Sequence, residues 1–243
     1  VKSMEAAARS KTQRFKAHSH DLFTVRGCQR FVAQLSAEGE SFDYVVLTVG
    51  MWPDPKNPYT ADGINKVVAL DVLARFVVFE GVRPLLKDGA RVMNVLASTM
   101  MSPPLSTDDI KAVISGKNKN PGFGALLPCA VTADALLQHA YLRYPSIRFI
   151  GVHPGIVVTD VVRSSFPSWV ADVLQIGMKL IAMSDEECGS VHVNILTSPN
   201  VEKRGVSYFN YMLEGRETAK IAYDEEYGKW VWETLLDIAA EHA

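Results

Sequence analysis

Residues 43–49 read DYVVLTV and are closed by Gly50; residues 91–96 read RVMNVL. Neither run alternates strictly between polar and apolar positions, as a strand with one wet face would. Short Val-rich runs of this kind predict strands buried on both faces, the condition of a parallel sheet. Residues 147–152, IRFIGV, and 205–208, GVSY, read the same way. Between these runs the period changes to that of a helix. Residues 24–37 place Val25, Cys28, Phe31, Val32 and Leu35 on one face. Residues 63–86 form a long amphipathic stretch ending at Lys87, Asp88 and Gly89, and residues 126–144 carry Leu126, Ala130, Ala133, Leu137 and Tyr141 on one side. A last helix, 225–243, turns Trp230, Leu235 and Ile238 inward. Strand–helix alternation implies βαβ units with right-handed crossovers. The expected fold is therefore α/β, a Rossmann-like doubly wound parallel sheet, in a single domain over residues 1–243. Residues 103–124, rich in Pro, Ser, Asn, Lys and Gly, read as one long loop with a helical turn at 107–115.

Composition narrows the partners. With 25 basic against 27 acidic residues the net charge is −2, and no basic run is interleaved with aromatics. A nucleic-acid partner needs a basic face, so none is expected. Three cysteines, Cys28, Cys129 and Cys188, form no C-x-x-C pair, which leaves zinc and disulfide scaffolds unsupported and favours a reducing, cytoplasmic setting. The longest apolar stretch, 169–183, is broken by Asp172, Gln175 and Lys179, so no membrane span is expected.

Four segments in order resemble the short-chain dehydrogenase/reductase family, over residues 21 to the C-terminus. Asp21-Leu22 resembles the family's D-L beside the adenine; residues 43–50 resemble D-x-L-V-x-N-A-G; residues 91–97, RVMNVLA, resemble R-V-V-N-V-S-S; residues 150–159, IGVHPGIVVT, resemble the P-G-x-V-x-T loop. The C-terminal helix with Trp230 and Trp232 is similar to fungal-type members. The resemblance implies dinucleotide contacts from Asp21, Gly50, Pro154, Gly155 and Thr159.

It also implies a catalytic tetrad of Asn, Ser, Tyr and Lys, in which Tyr moves a proton and Lys lowers its pKa. Carried onto this chain, the Asn position falls on Asp71, the Ser position on Ala97 with Ser98 one step along, and the Y-x-x-x-K pair on Leu126 and Ala130. No Y-x-x-x-K occurs anywhere, and Lys is absent from residues 125–178. The family's Gly-rich T-G-x-x-x-G-x-G turn is not found either. Residue 1 is Val rather than Met, so three readings stand. The sequence starts partway into a longer protein, a second polypeptide supplies the βαβ piece, or residues 15–18 pair directly with 44–49. On these readings cofactors are none or vestigial, with NAD(P) only if a Gly-rich loop lies upstream of residue 1.

In open α/β sheets ligands lie beyond the carboxyl ends of the strands. That rule makes Ser98 and His153 candidate catalytic groups, and the resemblance adds Asp71 at the position of the tetrad Asn. A carboxylate on an apolar helix face is costly to bury unless paired or protonated, so Asp71 is either a proton carrier or the i+4 partner of Arg75. Trp52, Met100, Phe123, Phe166 and Trp169 form the candidate substrate wall. Residues 164–187 correspond to the family's substrate lid, suited to an apolar ligand or to a homodimer contact. The expected function is binding of a hydrophobic small molecule with promotion of a non-redox step such as cyclisation, isomerisation or dehydration. The alternatives are an NAD(P)-dependent oxidoreductase with an unusual active site and a catalytically silent scaffold or subunit.

Overall fold

The computed structural model describes residues 4, 6, 10, 12–98, 105–118, 121–155, 183–199, 201 and 205–243. Among them the four apolar runs become β1 (Phe42–Leu47), β2 (Leu86–Val95), β3 (Arg148–Val152) and β4 (Val206–Phe209). They lie side by side in that order, all parallel, and the two-residue β5 (Gly215–Arg216) closes antiparallel on β4. One registered row, Val45, Val92, Phe149 and Val206, crosses the sheet and feeds the larger core. The next row, with Met93 and Ile150, faces the opposite side and packs with Ile195 and Val201. Apolar residues on both faces are what layered helices require.

Helix α1 (Val25–Ala37) begins where Thr24 accepts a hydrogen bond from Gly27 N–H. Gly27 is a glycine because a Cβ there would lie 1.7 Å from the Asp21 carbonyl oxygen. Helix α2 is composite: Lys66–Val68, a π-helical turn over Ala69–Ala74, then Arg75–Val82. The sequence pattern ran this helix to residue 86. Pro84 has no N–H to continue the ladder, and the chain passes into β2 at Leu86. The β1–β2 register breaks between Phe42 and Tyr44, opposite residues 87–90, where Gly89 adopts φ +75°. Helices α3 (Thr107–Ile114), α4 (Leu126–Arg143), α5 (Asp185–Thr197) and α6 (Glu225–Glu241) complete the layers. Helix α4 is buried on nearly every side, because it packs on β3, α2, α3 and α6 together. Ser184 and Glu187 form a reciprocal cap at the start of α5.

Residues 14–19, one candidate for a further strand, join no ladder and do not pair with β1. Polar contacts tie them to α1 and the turn after it: Lys16 bonds Glu38 and Glu40, and His18 and His20 both meet Gln34. Among the described residues β1 is thus an edge strand, with Tyr44 and Val46 left 49% and 43% exposed. Trp232, rather than Trp230, is the fully buried indole of α6. It meets Phe76 edge-on at 5.0 Å, with Arg143 over its ring at 4.8 Å. Trp232→Ala is expected to cost about 3–5 kcal/mol in urea unfolding, against about 0.5 kcal/mol or less for Leu236→Ala on the exposed face of the same helix.

Candidate functional site

The carboxyl ends of β1 and β2 meet around one buried cation. Arg75 donates from Nε to Val49 O at 2.8 Å and from Nη1 to Leu47 O at 2.9 Å, and it also bonds Asn94 Oδ1 and Val95 O. Asp71, one turn earlier, accepts from Met51 N–H at 3.0 Å, and its charge interacts with that of Arg75 across the interior. Both side chains are sealed from solvent. Burial pushes the Asp71 carboxyl up to about 7, while the Arg75 cation and the Met51 amide oppose that rise. Gly50 sits between them: a Cβ there would lie 2.6 Å from Asp71 Oδ1 and 3.3 Å from Arg75 Nη2. Beneath the pair lies a cavity of about 30 Å³ lined by Asp71, Arg75 and Asn94 among apolar walls, room for one water. Asp71 faces the core and holds the turn that carries Trp52.

Ser98 follows β2 and is also fully buried. Asp134, on α4, receives Ser98 N–H at 2.9 Å and Ser98 Oγ–H at 2.8 Å on the same oxygen, Oδ2, which bonds Thr218 Oγ1 as well. Ser98 Oγ and Thr218 Oγ1 lie 2.8 Å apart. Three oxygen–oxygen contacts thus share two hydroxyl hydrogens when the carboxyl is ionised. A proton on Asp134 supplies the third and lets the hydroxyls form a closed ring. Burial pushes this carboxyl up to about 6, and Oδ1 has no partner among the described residues. An unpartnered neutral oxygen is far cheaper to bury than an unpartnered anion. The Ser98 hydroxyl is therefore engaged inside the core by Asp134 and Thr218.

His153 ends β3. Its Nδ1 lies 3.1 Å from Ala97 O, and a carbonyl accepts, so the hydrogen resides on Nδ1 and the Nε2 lone pair remains. Burial lowers its pKa, which keeps the ring neutral near pH 7. Trp52 and Phe123 come together as expected, edge-on at 6.2 Å. Leu126 and Ala130 open α4, partly buried and buried, and bring only hydrocarbon to the positions aligned with Tyr and Lys. Met100, Thr159, Phe166, Trp169 and most of the lid segment 164–187 lie outside the described residues.

The fold implies a nicotinamide dinucleotide. Of the expected contacts, Asp21 accepts from Phe23 N–H in its own turn at 3.0 Å. Pro154 leads into Gly155, whose φ of +72° and missing Cβ are required by the Tyr211 ring, 2.7 Å from where that carbon would be. Gly50 serves Asp71 in the same way. Both glycines are thus required by neighbouring side chains of the chain itself. Asp134 and Thr218 escaped sequence reasoning. The one available signal was an acidic residue inside the apolar stretch 126–144.

The fold is that of the short-chain dehydrogenases/reductases. No family model matches the chain. Solved structures similar to it include a double mutant of a short-chain dehydrogenase/reductase from Serratia marcescens, TM-score 0.60 at 16% identity, covering 86% of this chain and 80% of that one. Another is a short-chain dehydrogenase/reductase from Burkholderia multivorans with bound NADP, TM-score 0.58 at 15% identity, covering 88% and 82%. In sequence the chain is similar to an uncharacterised oxidoreductase of Saccharomyces cerevisiae, 20% identical over 198 residues, and to an oxidoreductase of Emericella nidulans, 25% identical over 214 residues. These alignments take in 78% and 85% of this chain, which spans 63% of the length of each relative.

The Asp134 ring sets a pH dependence. Its folded pKa stands above the unfolded value of about 3.9, so its stabilising contribution is full below that value and is lost as pH rises through about 6. Urea unfolding from pH 4 to 7 is expected to show wild type losing about 2 kcal/mol relative to Asp134→Asn. Parallel curves for the two proteins would contradict the neutral-acid ring.

Proposed function

We propose that this is an enzyme of the short-chain dehydrogenase/reductase type whose cleft takes a hydrophobic small molecule and promotes a non-redox step on it, such as isomerisation, cyclisation or dehydration. One observation carries the reading. Among the described residues the groups that would complete a carbonyl reduction are missing or engaged: Leu126 and Ala130, at the start of α4, are hydrocarbon, and the Ser98 hydroxyl is bonded to Asp134 and Thr218. Among the described residues at these strand ends, His153 is able to move a proton: it is neutral, with Nδ1 held by Ala97 and Nε2 left as the base. General-base transfer of that kind contributes about 10²–10⁴-fold, and it needs no hydride. The Trp52–Phe123 corner supplies apolar surface and excludes water, which lets orientation of a flexible ligand contribute to rate. Asp71 and Arg75 act as positioning residues, because they hold the Met51 amide and the strand-end carbonyls from which this corner springs.

A second reading, an NAD(P)-dependent oxidoreductase with an unusual acid, is favoured by the oxidoreductase names of the relatives in yeast and Emericella nidulans. The two differ in measurable mass balance. Incubation with a library of apolar metabolites, followed by mass spectrometry, is expected to yield products equal in mass to the substrate or lighter by one water. His153→Gln is expected to lower that turnover at least about 10²-fold, with unfolding midpoint and Trp fluorescence unchanged. Products differing by two hydrogens, formed only with added NADPH, would establish the second reading instead.

A further inference from the structure

Beyond β1 the chain turns through Pro53, Asp54, Pro55 and Pro58 before α2 begins at Lys66. This turn and Gly122, which opens a short 3-10 turn before α4, enclose a cavity of about 230 Å³. Trp52 precedes Pro53 in the chain and Phe123 follows Gly122, so the aromatic corner adjoins the cavity wall. The prolines present ring carbons and no N–H, which makes that side of the wall apolar and rigid.

The polar end belongs to Lys66. Its side chain is 17% exposed, yet its ammonium is held loosely: Asp54 Oδ2 lies at 3.5 Å, and the Phe23 ring at 5.8 Å. A charge-assisted N–H···O bond closes to about 2.7–2.9 Å. Asp54 meanwhile has other partners, since its Oδ1 accepts from Lys56 N–H at 3.1 Å and Asn57 N–H at 3.2 Å. These turn amides and Lys66 hold it below the usual carboxylate range, against the opposing effect of burial. One carboxylate oxygen is thus satisfied by its own turn while the other faces Lys66, and the ammonium, mostly withdrawn from water, borders a space large enough for several waters. Asn65 caps the first amides of α2, so the positive end of that helix points the same way.

We infer that Lys66 binds the carboxylate of an amphiphilic organic acid in this cavity, with the acid's apolar body lying along Trp52 and Phe123. This deepens the small-molecule reading and rests on it. It restricts the substrate class to apolar molecules carrying one anionic end, and it fixes their direction: anion beside α2, reacting part toward the ends of β2 and β3.

The test compares three probes of one shape, 3-phenylpropionate, its methyl ester and 3-phenylpropylamine, by calorimetric titration of the full chain. The acid is expected to bind at least about tenfold more tightly than the ester, as one charge-assisted contact provides. Lys66→Met is expected to bring the acid down to the ester's affinity, while Lys66→Arg keeps the preference; circular dichroism verifies that both variants are folded. Equal affinity of acid and ester for wild type overturns the inference but leaves the apolar cleft standing. Preference for the amine overturns it in favour of Asp54. Failure of all three probes overturns both this inference and the small-molecule reading on which it rests.

Discussion

A guanidinium sealed inside a protein must find an acceptor for nearly every hydrogen it carries. Arg75 meets that demand with the carbonyls of Leu47, Val49 and Val95 and the amide oxygen of Asn94, which are the groups that β1 and β2 leave unpaired at their carboxyl ends. The constraint works in both directions. The strand ends cannot spread without stranding a buried charge, and the charge is tolerable because Asp71 lies one turn away. The π-helical turn at residues 69–74 is where this pair is placed, and π turns commonly mark functional segments. Gly50 completes the arrangement by leaving room for both groups.

From that fixed point the cleft acquires its chemistry. The turn after β1 is held by Asp71 and delivers Trp52; the end of β2 delivers Ala97, whose carbonyl sets the tautomer of His153. Ser98, one residue further, is drawn inward by Asp134 and Thr218, and this ring ties three separate elements together: the end of β2, the middle of α4 and the segment after β5. A hydroxyl that completes such a ring stabilises the fold and is lost to catalysis. The fold is that of short-chain dehydrogenases/reductases.

Much of this was legible in the linear sequence. Runs such as RVMNVL can form little other than a doubly buried strand, and the parallel order follows once helices must intervene. The helix over 25–37 was readable because the Val25, Cys28, Phe31, Leu35 spacing is a local signal, whereas Thr24, counted within it, is its cap. The end of α2 was misplaced, since four residues beyond Val82 kept an apolar period that Pro84 interrupts. Asp71 stood out as a carboxylate among apolar neighbours, but its two possible roles could not be separated without knowing which way the helix faced.

The sequence by itself determined the α/β class, the order of strands and helices, and the absence of any Y-x-x-x-K pair, because these depend on side-chain period and on residue identity. Tertiary structure alone decided that Ser98 turns to Asp134, that Thr218 joins them across 84 residues of chain, and that Lys66 borders a cavity with its nearest carboxylate at 3.5 Å. Hydrogen bonds and cavities arise between segments far apart in the chain, and their geometry is set by packing that no local pattern encodes.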